Sequence, residues 1–277
     1  MIQRKRITII GIIIVGGIII TGVLALNGYF GGGAKIPEDT FTRGLVAYWS
    51  FDEGTGNIAY DISGNGNNCT IYGAKWTKGK YGSALQFDGV DDYVLVPEDD
   101  SLKPTEVTVS AWIYFTGDVY ESHSIVRLIK SLGNSYGFSI SKETGGSGKL
   151  EFASYNDGWY ITATNFSGYV NKWTHIVGIY DGRKLKLYIN GILKDSADLA
   201  SIDYTEVYDL YIGSGYKASY FLGLIDEVRI YNRALSAEEI RYHYNLGRPV
   251  AHWRFDEGSG TTTYDSSGNE YHGILHE

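Results

Sequence analysis

A single cysteine, Cys69, occurs among the 277 residues of the chain, so no disulfide can form within it. If the folded part lies outside the cell, its stability must come from the size of its core or from a bound metal. Basic residues are also scarce, since 24 Lys and Arg stand against 32 Asp and Glu, a net charge of −8. This balance argues against a nucleic-acid surface and is compatible with bound cations or with ordinary solubility.

Proline (4) and methionine (1) are scarce, whereas glycine (36) and tyrosine (24) are abundant. Aromatic residues among glycine-rich turns are typical of an all-β fold. No long helical pattern interrupts the strand-like segments, so the sequence does not predict a βαβ architecture. Alternation is clearest over 184–190, where Leu185, Leu187 and Ile189 share one face. Asn190-Gly191 then predicts a type I′ hairpin.

One helix is marked near residue 240. Ser236 and Glu239 form a capping box, in which each side chain accepts a hydrogen bond from the other residue's backbone N–H. Leu235 and Ile240 form a hydrophobic staple, and Gly247 is placed to end the helix. We therefore expect one short helix after the strands.

The segment 46–73 recurs at 250–277 without a gap, at an offset of 204 residues from 46 to 250. Identical pairs include Trp49 with Trp253 and Phe51 with Phe255. Solenoid repeats have periods of only about 20–50 residues, so this spacing indicates whole domains in tandem. The sequence predicts one domain at 44–247 and the truncated start of a second at 248–277. The alternative is a strand that docks on this domain or on another chain.

The N-terminus predicts a membrane anchor over residues 1–30 and a linker over 31–43. Three basic residues, 4–6, precede an uncharged run to residue 30, long enough to cross the ~30 Å hydrocarbon core as a transmembrane helix. Basic residues before the span keep the N-terminus in the cytoplasm and the rest outside. The alternative is a signal peptide cleaved after Val23-Leu24-Ala25, which would leave a secreted protein.

Seven segments follow one another between residues 45 and 236, namely Leu45–Gly54, Asp61–Asn67, Gly82–Val94, Val107–Ile113, Trp173–Val177, Leu187–Gly191 and Gly223–Ser236. Taken together in this order, they resemble the laminin-G-like jelly-roll domain of the concanavalin A-like lectin/glucanase superfamily. The resemblance covers 44–247 and implies an all-β sandwich of two antiparallel sheets. The fold hosts lectins, adhesion modules and enzymes, so it does not decide function. The resemblance implies that the core includes Trp49, Phe51, Trp112, Ile113, Trp173 and Val177.

The sequence offers one candidate metal loop. Asp61, Ser63 and Asn65 alternate before Gly66, as in the first half of a calcium loop, but Tyr72 stands where an EF-hand has glutamate. Further oxygen ligands must come from elsewhere. The resemblance implies ligands near the first and last strands, which points to Asp52 and Asp226 for a structural Ca²⁺. The alternative is that Asp61, Ser63 and Asn65 form only Asx and Ser turns, as we also expect for the acidic residues of 88–92.

Aromatic loops at 155–160 and 216–220 are candidates for sugar binding, because rings can stack on sugar C–H faces while polar groups bind hydroxyls. Ordinary hairpin loops with half-buried tyrosines are the alternative. The paired-carboxylate pattern Glu-x-Asp-x-x-Glu of the glucanase branch does not occur, so we expect no enzyme. The candidate ligand-binding residues are Tyr155, Asn156, Asp157, Trp159, Tyr216 and Tyr220.

The sequence thus predicts a membrane-anchored, extracytoplasmic binding module that is stabilised by calcium and binds carbohydrate. Its expected partner is a surface glycan or a cell-envelope protein. A structural or adhesive tandem module without a sugar site is the alternative. A glycoside hydrolase has only fold analogy in its favour.

Overall fold

The computed structural model describes residues 42–119, 121–130, 133–141, 148–216, 218–245, 262–263 and 273–274. The chain divides into two units, Met1–Ile36 and Pro37–Glu277, and every described residue belongs to the second. The predicted anchor (1–30), nearly all of the linker (31–43) and most of the second copy (248–277) lie outside the described residues. Within the described ranges, no helix is long and apolar enough to cross a bilayer.

The described residues form the predicted sandwich of two antiparallel sheets. Sheet A has the strand order β14-β13-β12-β7-β16-β5-β4, with β1 beside β16, and sheet B has the order β11-β10-β9-β8-β15-β6-β3-β2. The strands are β1 (Leu45–Trp49), β2 (Ile58–Ala59), β3 (Cys69–Tyr72), β4 (Lys75–Lys78), β5 (Ser83–Asp88), β6 (Tyr93–Val96), β7 (Val107–Phe115), β8 (His123–Lys130), β9 (Gly133–Ser141), β10 (Lys149–Tyr155), β11 (Trp159–Asn165), β12 (Trp173–Tyr180), β13 (Lys184–Ile189), β14 (Ile192–Asp198), β15 (Val207–Ile212) and β16 (Leu222–Tyr231). Short 3₁₀ turns occur at Asp100–Leu102 and Ser167–Tyr169.

The main core lies between the inner faces of the two sheets. Successive side chains of a strand point to opposite faces, so a strand covered on one side buries alternate residues. On β8, Val126 and Leu128 are fully buried in this core, and Arg127 between them points to the outer face. The same alternation makes Phe138 and Phe152 core residues of β9 and β10.

Burial confirms five of the six predicted core residues: Trp49, Phe51, Trp112, Ile113 and Val177. Trp173 is half-buried instead and packs edge-on against Tyr114, with ring centroids 5.7 Å apart. It lies at the start of β12, where fewer neighbours cover it than cover the middle of a strand. Val177 belongs to a second, smaller cluster on the outer face of sheet A.

The helix α1 (Ala237–Asn245) covers that second cluster. The backbone N–H of Ser236 donates to Glu239 Oε2 (2.7 Å), and the backbone N–H of Glu239 donates to Ser236 Oγ (3.2 Å), which confirms the capping box. Leu235 and Ile240 are buried together in the cluster, as the predicted staple requires. The expected end at Gly247 lies outside the described residues.

Two hairpins of the structure correspond to features of the sequence. Asn190 and Gly191 both have positive φ (50° and 77°) between β13 and β14, which confirms the predicted type I′ turn. In the second copy, β17 (Thr262–Thr263) pairs with β18 (Gly273–Ile274). Its pairs Thr262–Ile274 and Thr263–Gly273 have the same register as Ile58–Thr70 and Ala59–Cys69 in the first copy.

Candidate ligand-binding face and metal site

Asp52 and Asp226, the first and last residues of the predicted metal set, contact one loop, residues 79–83. The Ser83 N–H donates to Asp52 Oδ1 (2.9 Å), and the Tyr81 N–H donates to Asp226 Oδ2 (3.1 Å). A Cβ at Gly82 would lie 2.0 Å from Asp52 Oδ1. The loop therefore approaches this carboxylate closely only because that position is glycine.

Asp226 is fully buried, and its Oδ1 has no hydrogen-bond partner. Burial is the main cause that raises its pKa, to about 7. Glu53, next to Asp52, likewise has a buried Oε2 without a partner, while its Oε1 accepts from the Tyr60 N–H (2.7 Å). Leaving a buried carboxylate oxygen unpaired is costly, and a hard cation with oxygen ligands would offset that cost. Oxygen donors and an orphaned carboxylate fit Ca²⁺ here.

Asp61, Ser63 and Asn65 are arranged differently. Asp61 accepts hydrogen bonds from the N–H groups of Tyr48, Ser63 and Asn67 and from the Ser63 hydroxyl, at 2.8–3.0 Å. The Asn65 amide donates to the carbonyls of residues 45 and 46 at the start of β1. These are the Asx and Ser turns of the alternative interpretation, and they tie the loop to β1. The structure thus separates the predicted metal set into two groups with different partners.

Three further carboxylates, those of Asp88, Asp91 and Asp92, have oxygens within 4.8 Å of one another. Asp88 Oδ1 accepts from the N–H groups of Val90 and Asp91, and Asp92 Oδ2 accepts from the Asp88 N–H. Their hydrogen bonds close the turn between β5 and β6. This cluster is therefore the turn that the sequence predicts.

The outer face of sheet B, called the B face below, carries the candidate ligand-binding residues. Strand register places one row of side chains across it: Tyr211 on β15, Arg127 on β8, Gly137 on β9, Ala153 on β10 and Ile161 on β11. Neighbouring strands lie about 4.8 Å apart, so this row spans four spacings, roughly 19 Å.

Aromatic rings stand at the two ends of this row, which covers five of the eight strands of sheet B, and the face continues beyond β15 over β6, β3 and β2. At one end Tyr216, which is 62% exposed, packs edge-on over Tyr211 with ring centroids 5.9 Å apart. At the other end Trp159, which is 51% exposed, packs edge-on against Tyr155 at 5.4 Å. The two loops that the sequence singles out separately therefore border the same surface.

The remaining candidate residues hold these loops in place. The Asn156 amide donates to the carbonyl (3.0 Å) and hydroxyl (3.1 Å) of Ser201. Asp157 has a positive φ (51°) in the β10–β11 turn. The Tyr220 carbonyl lies 2.7 Å from Nδ1 of buried His123. Their observed contacts thus fix the loops that present the rings.

The polar floor between the rings is not marked by any of the sequence motifs described above. Arg127 Nη1 donates to Ser124 Oγ (3.1 Å), and Glu151 Oε1 accepts from Ser141 Oγ (2.5 Å). Ser139 lies opposite both Ser124 and Glu151. Burial lowers the pKa of Arg127, and the nearby Glu151 opposes that shift. The sequence does contain one indication of this floor. Arg127 is the only charged residue of the apolar run 125–129, so its side chain is expected to point away from the core.

Glu227, although adjacent to Asp226, has separate partners. It accepts from the Tyr48 hydroxyl (2.9 Å to Oε2) and pairs with Arg229. The Arg229 guanidinium lies 3.9 Å from the centroid of the Tyr48 ring. The two carboxylates therefore do not face each other as an acid–base pair, and Glu227 joins β1 to β16.

No curated protein matches the chain. Several solved structures, however, share its fold. Domain 4 of AbnA, a GH43 extracellular arabinanase from Geobacillus stearothermophilus solved with arabinotriose, has a TM-score of 0.59 at 23% identity, over 71% of this chain and 96% of that one.

The botulinum neurotoxin serotype D binding domain has a TM-score of 0.60 at 18% identity, over 80% of this chain and 56% of that one. The binding domain of botulinum neurotoxin DC in complex with SialylT has a TM-score of 0.60 at 13% identity, over 76% of this chain and 53% of that one. This chain thus spans about half the length of the toxin domains. Identities this low show a shared fold alone.

A laminin G family model, described as the concanavalin A-like lectin/glucanases superfamily, matches residues 88–241, more than half of the chain. The match covers strands of both sheets and reaches into α1. It confirms the resemblance inferred from the ordered segments. The chain therefore belongs to the laminin-G-like domains of the concanavalin A-like lectin/glucanase superfamily.

Proposed function

We propose that this domain is a non-catalytic carbohydrate-binding module whose ligand lies on the B face between Tyr216 and Trp159. The observation that carries the proposal is the pairing of exposed rings at both ends of one row of side chains on the B face with a polar floor between them. Sugars present C–H faces that stack on rings and hydroxyls that need hydrogen-bond partners. Few, well-placed polar groups among aromatic side chains are typical of small-molecule sites.

Two relatives of the same fold give further support. The arabinanase domain was solved with arabinotriose, and one toxin binding domain was solved with SialylT. The carboxylates Asp226 and Glu227 have separate partners, which favours a binding role over hydrolysis.

A glycan array probed with the purified full chain tests the proposal. We expect binding that Trp159→Ala and Tyr216→Ala each weaken roughly five- to 150-fold, since loss of one stacking ring costs roughly 1–3 kcal/mol in comparable aromatic platforms. Tyr60→Ala is the matched control, because Tyr60 is 54% exposed but lies beside β2 at the far edge of sheet B. No binding to any glycan, with or without calcium, would remove the proposed function.

We also propose that Asp52 and Asp226 hold a structural Ca²⁺ beside residues 79–83. The support is the orphaned, fully buried Oδ1 of Asp226 next to a loop that also contacts Asp52. We expect a chelator to lower the melting temperature of the wild-type protein, and Asp226→Asn to remove the response. A melting curve that a chelator leaves unchanged would contradict the calcium site.

The location of the module is a further proposal, namely anchoring by residues 1–30 with the sandwich outside the membrane. Its support is the basic cluster before the apolar run. Fractionation of expressing cells, followed by protease treatment of intact cells, should recover the chain in the membrane with its domain accessible. Recovery of a shortened chain in the medium would favour the cleaved, secreted form.

The repeated hairpin register favours a second candidate, a structural or adhesive tandem module that contacts a cell-envelope protein. Under that alternative, Trp159→Ala and Tyr216→Ala would leave cell-surface association intact and no glycan would bind. Loss of association in either variant would count against it.

A further inference from the structure

The floor of the B face carries a cation and a carboxylate in fixed positions. Ser124, Ser139 and Glu151 form a second register row, on β8, β9 and β10, beside the row that contains Arg127. Ser139 and Glu151 are half-buried, so solvent and a bound ligand can reach them. These side chains lie between the two aromatic ends of the face.

Arg127 is held in place from both sides. Its Nη1 donates to Ser124 Oγ (3.1 Å), and a Cβ at Gly137 would lie 2.8 Å from Arg127 Cα and Cγ. Glycine on β9 therefore allows the arginine stem to lie against the neighbouring strand. A guanidinium fixed this way donates along set directions, which gives geometric selectivity toward oxygen acceptors.

Glu151 complements Arg127 electrostatically. Its Oε1 accepts from the Ser141 hydroxyl (2.5 Å), which orients the carboxylate, and its charge favours the charged form of Arg127. A sugar hydroxyl both donates and accepts, so it can donate to Glu151 and accept from Arg127. Ser139 between them adds a hydroxyl that can take either role.

A ligand carboxylate over this floor would lie close to Glu151, and like-charge contacts are strongly unfavourable when partly desolvated. The chain also carries a net charge of −8, which repels anions at longer range. Lys149, a second cation among the described residues of this part of the face, is one row further along β10, beyond Glu151. The centre of the floor therefore suits hydroxyls better than carboxylates.

We propose that Arg127, Ser139 and Glu151 set the specificity of the B face, and that its ligand is a neutral, extended oligosaccharide rather than an acidic one. The inference rests on the proposed function, because it names the class of sugar for that same site. The roughly 19 Å between the two ends of the row accommodates a chain of several sugar units crossing β15, β8, β9, β10 and β11.

Isothermal titration of the full chain tests this inference. The probes are linear arabino-, gluco- and manno-oligosaccharides, from disaccharide to hexasaccharide, and oligogalacturonates of the same lengths. We expect at least one neutral series to bind more tightly with length until the face is filled, and at least tenfold more tightly than oligogalacturonates. Glu151→Gln should weaken the neutral ligand roughly tenfold, as for a lost hydrogen bond to a charged group, and should reduce discrimination against oligogalacturonate.

Two further variants keep the inference falsifiable. Ser139→Ala removes a hydroxyl without changing charge and should weaken the neutral ligand severalfold. Glu238→Gln removes an exposed carboxylate from α1 and should change nothing. Tighter binding of oligogalacturonates than of the neutral oligosaccharides would overturn this inference but not the proposed function. The same would follow if Glu151→Gln preserved affinity and selectivity while Trp159→Ala abolished binding. Absence of binding to every probe and to the array would overturn both.

Discussion

At the scale of single residues, a glycine sets how closely the two sheets approach. Gly178 lies on β12 of sheet A, between Val177 and Ile179, which face the helix side. A Cβ at Gly178 would meet three ring atoms of Phe152 on sheet B at 2.3–2.5 Å. Both the ring and the backbone are inside a packed core, so neither can move aside cheaply.

Gly178→Ala should therefore lower the free energy of unfolding by about 1–3 kcal/mol, the usual cost of overpacking. Urea unfolding of the purified protein measures it. Gly168→Ala is the matched control, since nothing lies within 4 Å of its added Cβ, and it should be close to neutral. Equal effects in the two variants would show that loss of glycine itself, rather than contact with Phe152, is responsible.

His175 is a second residue whose role the sequence does not reveal. It is buried under α1, its ring centroid lies 5.2 Å from that of Trp112 and 6.2 Å from that of Tyr244, and neither ring nitrogen has a hydrogen-bond partner. Burying polar groups without partners opposes folding. The ring here acts as an aromatic spacer between sheet and helix.

His175→Phe keeps a flat ring and removes both unpaired nitrogens. At pH 8 we expect it to raise the free energy of unfolding by about 1 kcal/mol, within the range for a buried unsatisfied group. Chemical denaturation measures the change. A clear destabilisation would instead indicate that the nitrogens bind water or another polar partner.

At the scale of elements, α1 depends on its first turn. The Glu239 carboxylate accepts a hydrogen bond from the Ser236 N–H and also forms an ion pair with Arg233 (2.7 Å). It therefore connects the N-terminus of the helix to the segment that follows β16. Leu235 and Ile240 bury the apolar side of the same turn. A nine-residue helix is too short to be stable by propensity alone, so the cap and the packing together stabilise it.

Ser236→Ala should cost about 1 kcal/mol of stability, because the Glu239 N–H loses its acceptor. The melting temperature should fall by several degrees or less. Ser236→Asn retains an acceptor at the N-cap and should keep most of the wild-type stability. Should the alanine variant melt like the wild type, packing alone would account for this end of the helix.

At the scale of the whole molecule, two buried histidines link stability to pH. Burial, His243 and Arg229 lower the pKa of His175. For His243, burial and then Arg229 lower the pKa to about 3, with Glu239 opposing and Arg233 adding to the shift. In the unfolded chain both rings titrate near about 6.5. Below that pH the unfolded chain binds protons that the folded protein excludes.

The contribution of these two histidines to the free energy of unfolding should therefore fall as the pH drops from about 6.5 to 5, and it should not depend on pH above about 7.5. Urea unfolding at intervals across this range measures the slope. His175→Phe should flatten it, because one of the two rings is gone. Protonation of Asp226, whose pKa is raised to about 7, opposes this slope, so the comparison of the two proteins decides: a His175→Phe variant with the same slope as the wild type would contradict this account.

Local features of the fold were predictable because they depend on neighbouring residues. The capping box at Ser236, the turn at Asn190-Gly191 and the alternation of β13 need only a few adjacent side chains. The metal set was predictable only in part. The Asp61 carboxylate accepts hydrogen bonds from its own loop and from β1. Asp52 and Asp226 instead accept hydrogen bonds from the loop of residues 79–83.

The sequence by itself determined the sandwich, its helix cap and its family, since alternation, turn chemistry and the order of segments are local properties of the chain. Only the tertiary structure decided that Tyr216 and Trp159 border one face and that Arg127 and Glu151 lie between them. Alternation says which residues of one strand share a side. Which strands become neighbours depends on long-range pairing, such as Arg127 with Tyr211, that no local pattern encodes.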